Sequence, residues 1–210
     1  MPNEMQDAAR ASGCNYIAEF KQGLLLPKHP ALTAAIDNPS GICWGLAFVW
    51  MEYKTKKSHE RFFVDIEQVG EKATLLKAAG LYRIVQMKAD KLERAAATCG
   101  LSPAKDDDGE IKGKHSLRVS DEDDMRTLAK WLSASMGTRY FLIETSGHAM
   151  AACGSKTGAL EFFDPNFGVV SCWSSNTMAA FFSVFFNHQR IKDNYWKRIP
   201  RDLTVHKLKS

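Results

Sequence analysis

The chain has 210 residues, 45% of them apolar and 25% charged, with 28 basic and 24 acidic side chains and a net charge of +4. That length supports one domain, built as a single core or as two lobes around a cleft, and so mild a charge leaves no footprint for nucleic acid. No run of about 18 apolar residues marks a transmembrane helix, and Met1 to Arg10 is polar, with Glu4 and Asp7, unlike a Sec signal peptide.

Five cysteines, at 14, 43, 99, 153 and 172, are odd in number and irregular in spacing. They argue against a disulfide framework and for a reducing compartment. Neither C-x-x-C nor H-x-x-x-H occurs, so no metal or other cofactor is expected.

In chain order, Met1 to Phe20 reads as weakly helical, and residues 1–22 as a flexible or secretion-related segment. Gly23 to Pro39 is irregular, broken by Pro27, Pro30 and Pro39. Residues 42–54, Ile-Cys-Trp-Gly-Leu-Ala-Phe-Val-Trp-Met-Glu-Tyr-Lys, are densely apolar and run into Lys54, Lys56 and Lys57. Cations suit a helix C-terminus, so a buried helix is expected from Cys43. Helical patterns continue over Phe62 to Ala79 and Ile84 to Thr98, with Gly100 as a stop. Ser102 to Lys114, containing Asp106-Asp107-Asp108-Gly109, reads as a solvated loop without the alternating ligands of a calcium site. Ser120 with Asp123 reads as a capping box for a helix to about Met136, with Met125, Leu128, Trp131, Leu132 and Met136 on one face.

From Arg139 the period changes. Strands are expected at Arg139 to Thr145, His148 to Cys153, Leu160 to Asp164 and Phe167 to Trp173, separated by turns at Ser146-Gly147, Thr157-Gly158 and Pro165-Asn166. A helix over Asn176 to Gln189 follows, with Phe181, Phe182, Phe185 and Phe186 as core, then strands at Tyr195 to Ile199 and Leu203 to Leu208. The pattern is α+β: a mainly helical lobe over about 23–137 packed on an antiparallel sheet lobe over about 138–210. The basic C-terminal stretch (Arg190, Lys192, Lys197, Arg198, Arg201, Lys207, Lys209) suggests contact with an anionic membrane or a charged partner.

A nucleophilic thiol needs a setting that favours its charged form, a base, and a group that holds the base in the right tautomer. Cys43 falls at a helix N-terminus after a Ser-Gly turn, where the helix dipole favours negative charge. His148 sits between Gly147 and Ala149, and Asp164 ends an apolar strand at Pro165, beside the strand carrying His148. Cys153 has the opposite strand parity from His148 and should face away from it, so a zinc cluster of Cys153, Cys172 and His148 is not expected. His29, His59, His115, His188 and His206 read as surface residues. Gly13-Cys14 would be an acylation site after self-cleavage, although Ile17 replaces the usual Ser or Thr.

Ser-Gly-Ile-Cys-Trp-Gly-Leu (40–46), Ser-Gly-His-Ala-Met-Ala (146–151) and Phe-Phe-Asp-Pro-Asn-Phe-Gly (162–168) resemble the YopT/AvrPphB family of bacterial effector cysteine proteases. The resemblance implies a papain-like fold with Cys43 as nucleophile, His148 as base and Asp164 as the orienting acid, 16 residues after His148. It also implies an oxyanion hole formed by the Asn38 amide, five residues before the nucleophile, and the Cys43 backbone N–H. A protein substrate is expected inside a target cell, reached by secretion without a Sec signal. Two other readings use the same residues: deamidation or acyl transfer (a transglutaminase-like reaction) through a shared thioester, and a non-catalytic papain-like interaction module. Asn166 competes with Asp164 for the orienting role.

Overall fold

The computed structural model of the chain describes residues 3–29, 42–56, 59–67, 73–85, 90–104, 114–133, 138–155, 158–196 and 199–210. Asn38, Pro39 and the Asp106–Asp108 run lie outside them, as do Lys197, Arg198 and Met136.

Helix α1 (Glu4–Ser12) is capped by Asn3, whose side chain accepts from the N–H groups of Met5 and Gln6, and ends at Gly13 with φ 71°. Strand β1 (Asn15–Glu19) and the short α2 (Gln22–Leu25) follow. Residues 3–22 are thus built into regular elements of the fold. β1 is an edge strand of the main sheet, and α1 packs into the core through Met5, Ala8 and Ala9.

Helix α3 (Cys43–Thr55) begins where the sequence places it. It is apolar nearly all round, so it is buried, from Trp44 to Glu52. Gly45 is what lets it approach its neighbour: a Cβ there would stand 1.9 Å from the Ala78 carbonyl oxygen. Helices α4 (His59–Glu67) and α5 (Ala73–Val85) pack against it, and α6 (Lys91–Thr98) packs on α5. The expected Phe62–Ala79 helix is thus two helices, and Gly100, at φ 69°, makes the stop after α6.

The sheet has eight strands in the order β1-β7-β6-β5-β4-β8-β2, with β3 also on β8, and each described pairing is antiparallel. Its members are β2 (Ser102–Pro103), β3 (Lys114–Arg118), β4 (Arg139–Glu144), β5 (Ala149–Gly154), β6 (Leu160–Asp164), β7 (Gly168–Cys172) and β8 (Asp202–Lys209). Helices α7 (Glu122–Ser133), α8 (Ser175–Asn187) and α9 (Gln189–Tyr195) complete the fold. The cap of α7 is Asp121, not Ser120: Asp121 Oδ1 accepts from the N–H groups of Asp123 and Asp124.

The period of two sorts side chains to the two faces. Phe163 joins Phe20, Trp50 and Phe62 on the face covered by α3 to α6, whereas Phe162 meets Phe181, Phe182, Phe185 and Phe186 of α8 on the other. The Phe stripe is core, and Cys153 is buried in the cluster on the α3 side.

Three expectations are corrected. Tyr195 ends a helix rather than starting a strand; Ile191 and Tyr195, four apart, are both buried on it. Cys14 and Cys172 form a disulfide across 158 residues, because β1 pairs with β7 at Asn15↔Ser171 and brings the flanking Cα atoms to 4.7 Å. That bridge leaves Cys14 no thiol for acylation. His29 is buried, and His206 is largely buried against Glu144, with Nε2 to Oε2 at 2.8 Å, so neither is a surface residue. Of the basic C-terminal stretch, Lys207 and Lys209 lie on β8, between β4 and β2 in the sheet.

Candidate active site

The site forms at the end of the sheet where α3 begins. Cys43 is a free, half-buried thiol at the first residue of α3, between the buried Ile42 and Trp44. Its backbone N–H is among the donors at a helix start that have no intrahelical carbonyl.

His148 is held by the tight turn from β4 to β5. The Thr145 hydroxyl accepts from the N–H of His148 at 3.0 Å and of Gly147 at 3.3 Å, and the Thr145 N–H donates to the His148 carbonyl at 2.8 Å. The ring's Nε2 lies 2.9 Å from Asp164 Oδ1, and the Cys43 thiol is near enough for its charge to act on the ring. With Nε2 taken by the carboxylate, the other ring nitrogen serves the thiol. Burial works against the charged ring, but the charges of Asp164 and then Cys43, with the hydrogen bond to Asp164, outweigh it and raise the pKa of His148 to about 10.

Asp164 is fully buried and receives three donors: His148 Nε2–H and the Asn166 N–H on Oδ1, the latter at 2.8 Å, and the Tyr195 hydroxyl on Oδ2 at 2.7 Å. Asn166 does not take the histidine. Its side chain bonds Gln22 and Tyr195 instead. The structure therefore brings Cys43, His148 and Asp164 together, while Asn38 lies outside the described residues. Among the described residues no cluster of three or more His, Cys, Asp or Glu side chains could hold a metal ion.

Tyr195 is the neighbour the sequence did not reveal. Its ring packs on His148 with centroids 4.2 Å apart, and its backbone carbonyl accepts from the Ser146 hydroxyl. Burial first, then the charge of Asp164, push its phenol well above the usual tyrosine value, so it keeps its proton and donates. The available signal was the Ile191–Tyr195 spacing, which is too short to outweigh an alternating reading.

A helix that starts at a thiol and packs on an antiparallel sheet, with a histidine and an acid on adjacent strands beside it, defines the papain-like class. The chain belongs to the peptidase C58 family, whose model, described as Yersinia/Haemophilus virulence surface antigen, matches residues 9–210. Among solved structures, the Pseudomonas avirulence protein AvrPphB matches with a TM-score of 0.64 at 14% identity, over 93% of this chain and 97% of that one. PatoxP, a cysteine protease-like domain of the Photorhabdus asymbiotica toxin PaTox, matches with a TM-score of 0.56 at 15% identity. That match covers 98% of this chain and 57% of the PatoxP chain. At such identities these likenesses show the fold alone. No curated protein matches the chain significantly.

Proposed function

We propose that this protein is a secreted bacterial effector, a cysteine protease that cleaves a target-cell protein through Cys43, His148 and Asp164. The observation that carries this reading is His148, a buried ring bonded to the Asp164 carboxylate at 2.9 Å and within electrostatic reach of the Cys43 thiol. Family membership and the virulence, avirulence and toxin descriptions of its relatives support the setting.

The Cys43 thiolate, paired with the His148 imidazolium, adds to the scissile carbonyl carbon, and the carbonyl π electrons move onto oxygen. The Cys43 N–H, with the Asn38 amide as second donor, stabilises that oxyanion. His148 gives its proton to the leaving amine as the C–N bond breaks, leaving a thioester on Cys43. His148 then takes a proton from the water that attacks the thioester; the resulting oxyanion collapses, the C–S bond breaks, and the thiolate leaves to pair again with the His148 imidazolium. Asp164 holds the Nε2–H throughout and stabilises the imidazolium.

The test is a survey of new protein N-termini in target-cell lysate treated with wild type or Cys43→Ala. New N-termini with wild type alone are expected. Side-chain deamidation or acyl transfer without new N-termini would replace the peptidase reading.

A further inference from the structure

Gln22 is 4% exposed, and its carboxamide joins two distant parts of the site. Oε1 accepts from the backbone N–H of Ile42 at 3.1 Å, and Nε2 donates to Asn166 Oδ1 at 2.8 Å. Asn166 Nδ2 donates to the Tyr195 hydroxyl at 3.3 Å, and that hydroxyl donates to Asp164 Oδ2 at 2.7 Å. Asp164 bonds His148, which stands beside Cys43, whose peptide nitrogen is attached to Ile42. The bonds leave the backbone one residue before the thiol and lead to the histidine that serves it, forming a ring that the approach of His148 to Cys43 completes.

The direction of this ring is set at one point. A backbone N–H can only donate, so Gln22 must turn Oε1 to Ile42 and Nε2 to Asn166. Asn166 must then accept with Oδ1 and donate with Nδ2. The Tyr195 oxygen accepts that bond, and its own proton is left for Asp164. One proton arrangement satisfies the whole chain, and its result is a donor on Asp164 Oδ2 while Oδ1 serves His148. A second link fixes the same pair of elements: the backbone N–H of Gln22 donates to the Pro165 carbonyl at 2.8 Å.

We propose that Gln22 and Tyr195 are positioning residues, a proton-ordered strap that ties the backbone before Cys43 to the hairpin carrying Asp164 and sets the donor on its outer oxygen. The proposal rests on the cysteine-protease reading of Cys43, His148 and Asp164. Gln22 acts only through Asn166 and Tyr195, and neither it nor Tyr195 has a part in bond making.

The two ends of the strap can be cut independently. Gln22→Glu keeps the shape but offers Asn166 an acceptor in place of a donor. Asn166 must then reverse, and the Tyr195 proton goes to Asn166 rather than Asp164. Tyr195→Phe removes the same donor directly. Alkylation of Cys43 by iodoacetamide at neutral pH should slow about tenfold or more in each, the effect of a lost hydrogen bond to a charged group. The double variant should be no slower than the slower single one. The Nε2–H proton resonance of His148 should move in both, and Tyr53→Phe, whose hydroxyl bonds Asp65 in the helical region, should leave rate and resonance unchanged. If Gln22→Glu does not fold, Gln22→Met, which removes the donor without adding charge, should behave like Tyr195→Phe. Folded Tyr195→Phe with wild-type alkylation and an unmoved resonance overturns the strap and leaves the protease reading standing. Wild-type Cys43 reacting no faster than Cys99 and Cys153 overturns the protease reading itself, and the strap with it.

Discussion

His148 Nε2 stands 2.9 Å from Asp164 Oδ1, with the two side chains only 4% and 0% exposed. Water cannot replace either partner there, so truncating one leaves the other buried and unsatisfied. Asp164→Asn should lower kcat by roughly 10³–10⁴-fold, because an amide can stabilise the wrong tautomer and cannot support the imidazolium. Asn166→Ala should be milder, as its side chain reaches the acid only through Tyr195. Steady-state kinetics on both variants, with circular dichroism to confirm folding, makes the comparison; near-wild-type Asp164→Asn beside inactive Asn166→Ala would exchange the two roles.

The pH dependence has a definite sign. The pKa of His148 is raised to about 10, above the ordinary histidine value of about 6.5. Between these values the folded protein holds a proton that the unfolded chain has lost. Stability from this group is therefore complete below about pH 6.5 and declines as pH rises toward about 10. The His148 ring resonances should report an imidazolium at pH 8, and the wild-type advantage in Tm over His148→Gln should shrink between pH 7 and 10. A ring titrating near 6.5 would contradict this.

Much of this site was legible in the sequence for a physical reason. Cys43 stands at the start of an apolar helix after Ser-Gly, His148 and Asp164 border turns between apolar strands, and the resemblance of residues 40–46, 146–151 and 162–168 to the YopT/AvrPphB family joins the three. What was hidden depends on long-range register. The Cys14–Cys172 bridge exists because β1 lands on β7, and nothing local to either cysteine reveals that pairing. Gln22 and Tyr195 lie in a four-residue and a seven-residue helix, where periodicity carries little information.

That bridge yields a prediction in its turn. It closes a loop of 158 residues, for which loop entropy alone gives about 5 kcal/mol, though native disulfides commonly contribute 2–4 kcal/mol. Reduction, or Cys14→Ala with Cys172→Ala, should lower unfolding stability by roughly 2–4 kcal/mol. Cys172 sits at the opposite end of β7 from the Asp164–Gly168 turn, on the order of 13 Å along the strand. Alkylation of Cys43 should therefore be unchanged in the reduced but folded protein. Urea titration with and without reductant measures the first effect.

The oxyanion proposal predicts a rate effect without a binding effect. Asn38→Ala should cut kcat by about 10²–10³-fold while KM changes little, because the amide acts on charge that develops only in the transition state. An unchanged kcat would make Asn38 a turn residue before Pro39.

Gly45, two residues after the thiol, tests whether the position of Cys43 depends on helix packing. A Cβ at Gly45 would meet the Ala78 carbonyl oxygen at 1.9 Å and its carbon at 2.7 Å. Both are backbone atoms of a neighbouring helix, so no flexible side chain can yield, and α3 must move away from α5. Gly45→Ala should destabilise by about 3 kcal/mol or more, the upper range for overpacking, and the displaced first turn of α3 should slow Cys43 alkylation. Gly80→Ala is the matched control. Gly80 lies on the exposed side of α5 with nothing within 4 Å of an added Cβ. Relief of glycine's backbone entropy should there stabilise the protein by about 0.5–1 kcal/mol, with alkylation unchanged. Thermal unfolding of the two variants measures opposite shifts from the same chemical change. A neutral Gly45→Ala would mean that α3 and α5 have room to spare, and that the thiol is placed by the turn before it rather than by the helix behind it.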